Sequence, residues 1–284
     1  MILLDLNQLM ISNLMMHHRE NKDISEDLLR HMILNSIRLY NLKFKDEFGE
    51  MVIASDGKNY WRRDYFPYYK SNRKKARDES KLDWKTIFES LNKIRNELKE
   101  YFPYRVINLE KVEADDIIAT LIMENSNEFI NSNKFLIISS DKDFNQLLSY
   151  PNVKQYDPIK KKYITVKNPN LVLKEHIIRG DIGDGIPNML SSDSSIILGE
   201  RQKSITSKKL ELWLKEEPEV FCNEEMLRNY YRNKTLIDFS SIPKNIKDII
   251  LQEYENQSGK NHKQLFNYFV THRLKNLMSD ISDF

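Results

Sequence analysis

Cysteine is nearly absent: the 284 residues hold one, Cys222, so no internal disulfide can form and no close Cys/His set can hold zinc. A reducing, cytoplasmic setting is the expectation. Glycine and proline are scarce, with seven and eight residues, which leaves little material for long disordered linkers. The chain is expected to fold nearly throughout. No hydrophobic run is long enough to span a bilayer. Residues 1–16 are interrupted by Asp5, Asn7, Gln8 and Asn13 and lack a basic leader, so they read as structure and not as a signal peptide. A large charge excess is missing too. The balance of 44 Lys and Arg against 42 Asp and Glu nets +2, so any information about partners lies in where the charges fall.

What is there is an alternation of short apolar runs with longer stretches of helical period. Strands are expected at 1–6, 51–55, 104–109 and 134–140, with weaker ones at 153–156 and 163–166. Helices are expected at 24–44, where Ser25 can cap and Leu28, Leu29, Met32, Ile33, Ile37 and Tyr40 form a stripe, at 82–102 before Pro103, and at 113–125. From about Asn170 onward strand signals vanish. The fold class is therefore α/β, a mainly parallel sheet covered by helices, followed by a smaller all-helical C-terminal lobe. The boundary is expected near Arg179, giving lobes at 1–179 and 180–284.

Acids recur at the strand ends. Asp5 lies inside Leu3-Leu4-Asp5-Leu6, Asp56 follows the second strand, Asp141 and Asp143 follow the fourth, and Glu113, Asp115 and Asp116 open the helix after the third. In an open parallel sheet the carboxyl ends of the strands line one crevice, so these acids are expected to converge. Asp181 and Asp184 fall in Gly180-Asp-Ile-Gly-Asp-Gly-Ile-Pro187, where the helical half begins. Carboxylates about 4 Å apart repel by about 4 kcal/mol at an effective dielectric near 20. Such a cluster calls for cations, and an all-oxygen donor set suits two Mg²⁺ ions, with Mn²⁺ able to substitute. Paired ions of this kind hydrolyse phosphodiesters by in-line displacement. A single acid in a turn or first helical turn is commonly only a cap, but Asp5 sits within an apolar strand, where an unpaired charge is costly.

Between Lys58 and Arg77 run eight basic residues (Lys58, Arg62, Arg63, Lys70, Arg73, Lys74, Lys75, Arg77) against one acid, Asp64, interleaved with Tyr60, Trp61, Tyr65, Phe66, Tyr68 and Tyr69. Cations for phosphate oxygens and aromatic faces for bases are what a strand-binding segment needs. On this reading Tyr69, Arg73, Lys74, Lys75 and Arg77 contact nucleic acid.

Tyr60-Trp-Arg-Arg-Asp64, Tyr69-Lys70, Asn72-Arg73, Lys75-Ala-Arg-Asp-Glu-Ser80, Glu113-Ala-Asp-Asp116, Ile137-Ile-Ser-Ser-Asp-Lys-Asp-Phe144 and Pro151-Asn-Val-Lys-Gln155 are dense and collinear. Through them the sequence resembles the flap endonuclease and 5′-3′ exonuclease superfamily, and within it the ribonucleases H of T-even-like bacteriophages. The resemblance implies a first metal site formed or supported by Asp5, Asp56, Glu113, Asp115 and Asp141, a second by Asp143, Asp181 and Asp184, and Asp116 as a supporting acid. It also implies a phosphate-contacting Arg62 and Lys70 at the base of a helical arch spanning about 58–80. The implied substrates are flapped or branched DNA and RNA–DNA hybrid. The candidate protein partners are a single-strand DNA-binding protein and a sliding clamp, the protein being a monomer in the host cytoplasm if phage-encoded. The sequence departs from the wider family at Ile186-Pro-Asn-Met-Leu-Ser-Ser-Asp-Ser-Ser195, where relatives carry a glycine-rich, K⁺-holding hairpin. A non-catalytic, structure-specific nucleic-acid-binding protein is the alternative reading.

Overall fold

A computed structural model of the chain describes residues 1–18, 25–80, 82–126, 133–261 and 263–284. The side chains of 74–76 lie outside the described set, and with them the expected contacts of Lys74 and Lys75. The sheet contains β1 (Ile2–Asp5), β2 (Met51–Ala54), β3 (Arg105–Ile107), β4 (Phe135–Ile138), β5 (Val153–Asp157) and β6 (Lys162–Ile164). Their order is β3-β2-β1-β4-β5-β6. All neighbours are parallel except β5 and β6. The chain works outward from β1 in one direction through β2 and β3, then in the other through β4 and β5. The crevice at such a reversal lies at the carboxyl ends of β1 and β4.

Because strand side chains alternate, β1 feeds two cores. Ile2 and Leu4 pack with α1 (Leu6–His18), α2 (Glu26–Phe48) and the long helix after the arch, whereas Leu3 faces the helix that follows β3. Ser25 caps α2 as expected, its hydroxyl accepting the Leu28 amide at 3.2 Å. The arch segment forms α3 (Trp61–Tyr65) and α4 (Asn72–Asp78), and α5 (Trp84–Tyr101) follows. On the other face α6 (Ala114–Ser126) covers Leu3, Val52, Ile107 and Ile137. Helix α1 was not foreseen as a helix.

Beyond the sheet come α7 (Pro169–Arg179), α8 (Ser207–Trp213), α9 (Pro218–Phe221), α10 (Glu224–Ile237), α11 (Lys244–Asn256), α12 (Leu265–Thr271) and α13 (Lys275–Met278). These helices do not collect around one core. Ile177, Ile178, Met189, Tyr230, Leu236 and Ile237 pack with Phe66 and Tyr69 of the arch segment. Ile246 and Ile250 of α11 join the α6 core, and Tyr268, Phe269 and Phe284 return to the α2–α5 core. The arch base is thus clamped between the sheet's carboxyl edge and the α7–α10 pair.

Candidate metal centre

Asp5 ends β1, and its oxygens accept the Gln8 amide at 3.0 Å and the Ser139 hydroxyl at 3.2 Å. Asp56 follows β2 and accepts the Ala114 amide at 2.8 Å. The Asn7 side chain fixes it further, donating to Asp56 Oδ2 at 3.2 Å and accepting the Asp56 amide at 3.0 Å. Asp115 lies in the first turn of α6. Asp141 caps the 3₁₀ segment Lys142–Ser149 and accepts the Asp143 amide at 2.9 Å. These four carboxylates share one cavity of about 660 Å³ with Lys70, Arg73, Arg77, Tyr60, Trp84 and Phe88.

Burial, with the charges of Asp56 and Asp141 adding to it, pushes the Asp5 pKa up to about 7. Burial and the neighbouring Asp141 raise Asp115 well above the usual carboxylate range, and burial raises Asp56 despite Lys70. The protein's own cations thus leave the cavity acids under-compensated. A hard divalent cation fits the need, and these oxygen donors are the ligands Mg²⁺ or Mn²⁺ takes.

A second group stands beside it, with donor atoms of Asp143, His176 and Asp181 within 4.8 Å of one another. Burial, with Asp141 nearby, pushes Asp143 up to about 7. Its Oδ1 is buried and, among the described residues, accepts no hydrogen bond. For Asp181 burial works upward, but His176 at 3.0 Å and Lys142 at 2.9 Å outweigh it and hold the carboxyl well below its ordinary value. Asp184 accepts the Tyr69 hydroxyl at 3.1 Å and pairs with Arg73, with Lys70 Nζ 3.5 Å away. The loop carrying both acids needs its glycines. Gly180 has φ +67°, and a Cβ there would stand 2.4 Å from two carbonyl oxygens; Gly185 has φ +72° and lies against the Tyr68 carbonyl. That close approach lets the Lys70 amide donate to the Asp184 carbonyl at 2.7 Å.

Four expected site residues sit behind the cavity wall and do not line it. Arg62 is 2% exposed, with its guanidinium 2.7 Å from Glu113, 2.8 Å from Asp116 and bonded to the Leu236 carbonyl at 2.8 Å. Glu113 is fully buried, and it also accepts from Tyr69 and, at 2.5 Å, from Lys70. Burial works to raise its pKa, yet Lys70 and Arg62 outweigh that and hold it below the ordinary range. Asp116 accepts the Trp61 indole at 3.0 Å and the Glu113 amide at 3.1 Å. Tyr69 is 3% exposed, its hydroxyl committed to Glu113 and Asp184, so its ring is not free to stack on a base. The aromatic faces on the cavity are instead Tyr60, Trp84 and Phe88.

Residue types and spacing also missed His176 and Lys142, which convert the expected all-oxygen second site into one that an imidazole and an ammonium share with the acids. The signal was present: His176 stands in the last turn of α7, just before the Gly180–Asp181 turn, and Lys142 stands between the two acids that follow β4.

A parallel sheet carrying a carboxylate cavity at its switch point, roofed by a basic helical segment, defines a metal-dependent nuclease. Residues 3–176 match the family of the 5′-3′ exonuclease N-terminal resolvase-like domain, and the chain belongs to that family. Residues 168–284 match the domain described as T4 RNase H, C terminal. The chain is 37% identical to Ribonuclease H of Enterobacteria phage T4 over 99% of its own length and 95% of the relative's. It is also 30% identical to Flap endonuclease Xni of Shewanella halifaxensis, over 52% of this chain and 57% of that protein. In fold it is similar to the bacteriophage T5 D15 protein co-crystallised with metal ions, with a TM-score of 0.62 and 14% identity over 90% of this chain and 98% of that one. The D15 flap endonuclease in a pseudo-enzyme-product complex with DNA and metal ions gives a TM-score of 0.63 at 15% identity, again over 90% and 98%. The chain is a metal-dependent 5′-nuclease of ribonuclease H and flap endonuclease kinship. Among the described residues no helix is long and apolar enough to cross a membrane.

Proposed function

We propose that this nuclease hydrolyses phosphodiesters at the 5′ ends of RNA–DNA hybrids and flapped DNA, removing RNA primers and adjacent DNA in the 5′ to 3′ direction during phage lagging-strand replication. The observation that carries the reading is the single cavity in which Asp5, Asp56, Asp115 and Asp141 face Lys70 and Arg73. Two Mg²⁺ ions, or Mn²⁺ in their place, would be held by those acids and by Asp143, Asp181 and Asp184, supplying an activated water and charge stabilisation at the leaving oxygen.

The chain's own groups do the rest. Lys70 and Arg73 hold non-bridging phosphate oxygens at the cavity mouth. Arg62 acts from behind, anchoring Glu113 and Asp116 so that α6 presents Asp115 inward. Tyr60, Trp84 and Phe88 offer faces to unpaired bases. The nuclease lobe is assigned to residues 1–179, and residues 180–284 grip the duplex. The protein works as a monomer in the host cytoplasm, with a single-strand DNA-binding protein and a sliding clamp as partners of its replication role.

Product mapping on a 5′-labelled flap and on an RNA–DNA hybrid tests this. Short 5′ products that require Mg²⁺ and vanish with chelator are expected from both substrates, whereas tight binding with intact substrates would leave only a structure-specific binding protein. The arch charges give a further expectation. Replacing Lys74, Lys75 and Arg77 together by glutamine should weaken substrate binding and flatten the slope of log K against log salt by about 0.7–0.9 per lost phosphate contact. The saturated rate should change by less than about threefold, and a much larger fall would place these side chains at the reaction centre.

A further inference from the structure

We propose that His176 is a direct nitrogen ligand in the second metal position, so that this position is a mixed nitrogen–oxygen site favouring Mn²⁺ or Co²⁺ over Mg²⁺. The inference rests on the nuclease reading above and sharpens its metal chemistry. Three observations on the imidazole converge.

Both ring nitrogens face carboxylates. Nε2 is 3.0 Å from Asp181 Oδ2, a normal hydrogen bond, while Nδ1 is 3.5 Å from Asp143 Oδ1, beyond a good one. Asp143 Oδ1 itself is buried without a hydrogen-bond partner among the described residues. Two donors on one divalent ion, each bonded at about 2.0–2.2 Å, stand about 3–4.4 Å apart. The Nδ1 to Oδ1 spacing falls in that range, and Asp181, the third member of the group, stands on the Nε2 side of the ring. The arrangement also matches the usual support of a metal-bound histidine, whose second ring N–H donates to a carboxylate and fixes the ring.

The imidazole is held where a ligand must be. His176 is 13% exposed, and the adjacent Ile177 and Ile178 are buried in the core under α7. Its carbonyl accepts the Gly180 amide at 2.8 Å, so the α7 C-terminus and the Asp181 loop are one unit. The other side chain paired with Asp181, Lys142, is different. Its side chain is 61% exposed, so it can leave Asp181 for solvent when an ion arrives, whereas His176 stays.

The chemical consequence is selectivity. A nitrogen donor adds little for Mg²⁺ and progressively more from Mn²⁺ to Co²⁺ along the divalent series. Mn²⁺ and Co²⁺ should therefore bind this chain more tightly than an all-carboxylate site allows, and the difference should reside in His176.

The test is pulsed EPR of the full-length protein with two equivalents of Mn²⁺, beside calorimetric titration with Mn²⁺ and Mg²⁺, for the wild type and His176→Gln. The wild type is expected to show nitrogen modulation that shifts on ¹⁵N-histidine labelling. The variant should lose that signal, bind Mn²⁺ about 10–100-fold more weakly at one position, and change its Mg²⁺ affinity less than about threefold. Mn²⁺ bound by the wild type without nitrogen coupling would overturn the ligand assignment and leave the nuclease reading intact. A wild type that binds no Mn²⁺ would take down both. Circular dichroism of His176→Gln, with an unchanged spectrum expected, separates ligand loss from misfolding.

Discussion

Replacing Asp5 by asparagine is expected to lower turnover in Mg²⁺ at least about 100-fold and, in chelator at pH 8, to raise the melting temperature by about 2–6 °C. The two effects have one cause. Asp5 is 6% exposed, and burial with the charges of Asp56 and Asp141 lifts its pKa from an ordinary 3.8 to about 7. Between those values the folded chain holds a proton that the unfolded chain has released. Metal-free stability therefore falls as pH rises from about 4 to about 7, and what is lost stays lost above that range. Three units at about 1.36 kcal/mol each set an upper bound of about 4 kcal/mol, which the acids share because they titrate together. Asparagine keeps both hydrogen-bonding positions, accepting the Gln8 amide and donating to the Ser139 hydroxyl oxygen, without the charge. The gain over wild type should shrink toward pH 4.5 and disappear in saturating Mg²⁺, where the ion compensates the wild-type acid. Melting curves against pH, with and without Mg²⁺, check this; a lower melting temperature for the variant in chelator would make Asp5 a structural acid.

Asp5 was readable in advance because strand physics makes an acid among Leu3, Leu4 and Leu6 costly unless something compensates it. The strand ends were readable too, since parallel-sheet topology brings the carboxyl ends of β1, β2 and β4 to one edge whatever the details of the helices. The start of α6 was harder. Glu113, Asp115 and Asp116 look equivalent as letters, but successive residues of a helix point about 100° apart, and positions three apart share a face. Glu113 and Asp116 therefore turn together toward Arg62, and Asp115 is left facing the cavity. The basic segment misled for a related reason. A run of Arg, Lys and Tyr says that charges and rings are close, not which of them the body of the protein absorbs. Trp61, Arg62 and Tyr69 go inward because the clamp between α7, α10 and the sheet edge buries the arch base. His176 escaped notice because its partners, Asp143 and Asp181, lie 33 residues before it and five after it, joined only by the docking of α7 against the 3₁₀ segment.

Lys70→Met is expected to cut the saturated rate by about 10³-fold and to cost about 3–5 kcal/mol of stability, whereas Lys70→Met combined with Glu113→Gln should regain most of the stability and none of the rate. Lys70 is 6% exposed, 2.5 Å from Glu113 Oε1 and 3.5 Å from Asp184, on a backbone with φ +55°. Burial disfavours its charge, but Tyr69, Glu113 and Asp184 outweigh burial and raise its pKa well above the ordinary lysine value. Methionine keeps the length and apolar volume of the stem and removes the ammonium, leaving Glu113 buried with Arg62 as its remaining cation. Removing one member of such a pair leaves an uncompensated charge, while removing both trades a desolvated ion pair for neutral groups at little net cost. Stability alone would then say that the pair is only a strut. The rate separates the roles, because Lys70 also lines the cavity that holds Asp5, Asp56, Asp115 and Asp141, where the proposed scissile phosphate would sit. Denaturation curves and single-turnover rates for the two single variants and the double variant complete the cycle. A double variant that recovers rate together with stability would confine Lys70 to holding the wall, and one that recovers neither would show that Glu113 is not its energetic partner.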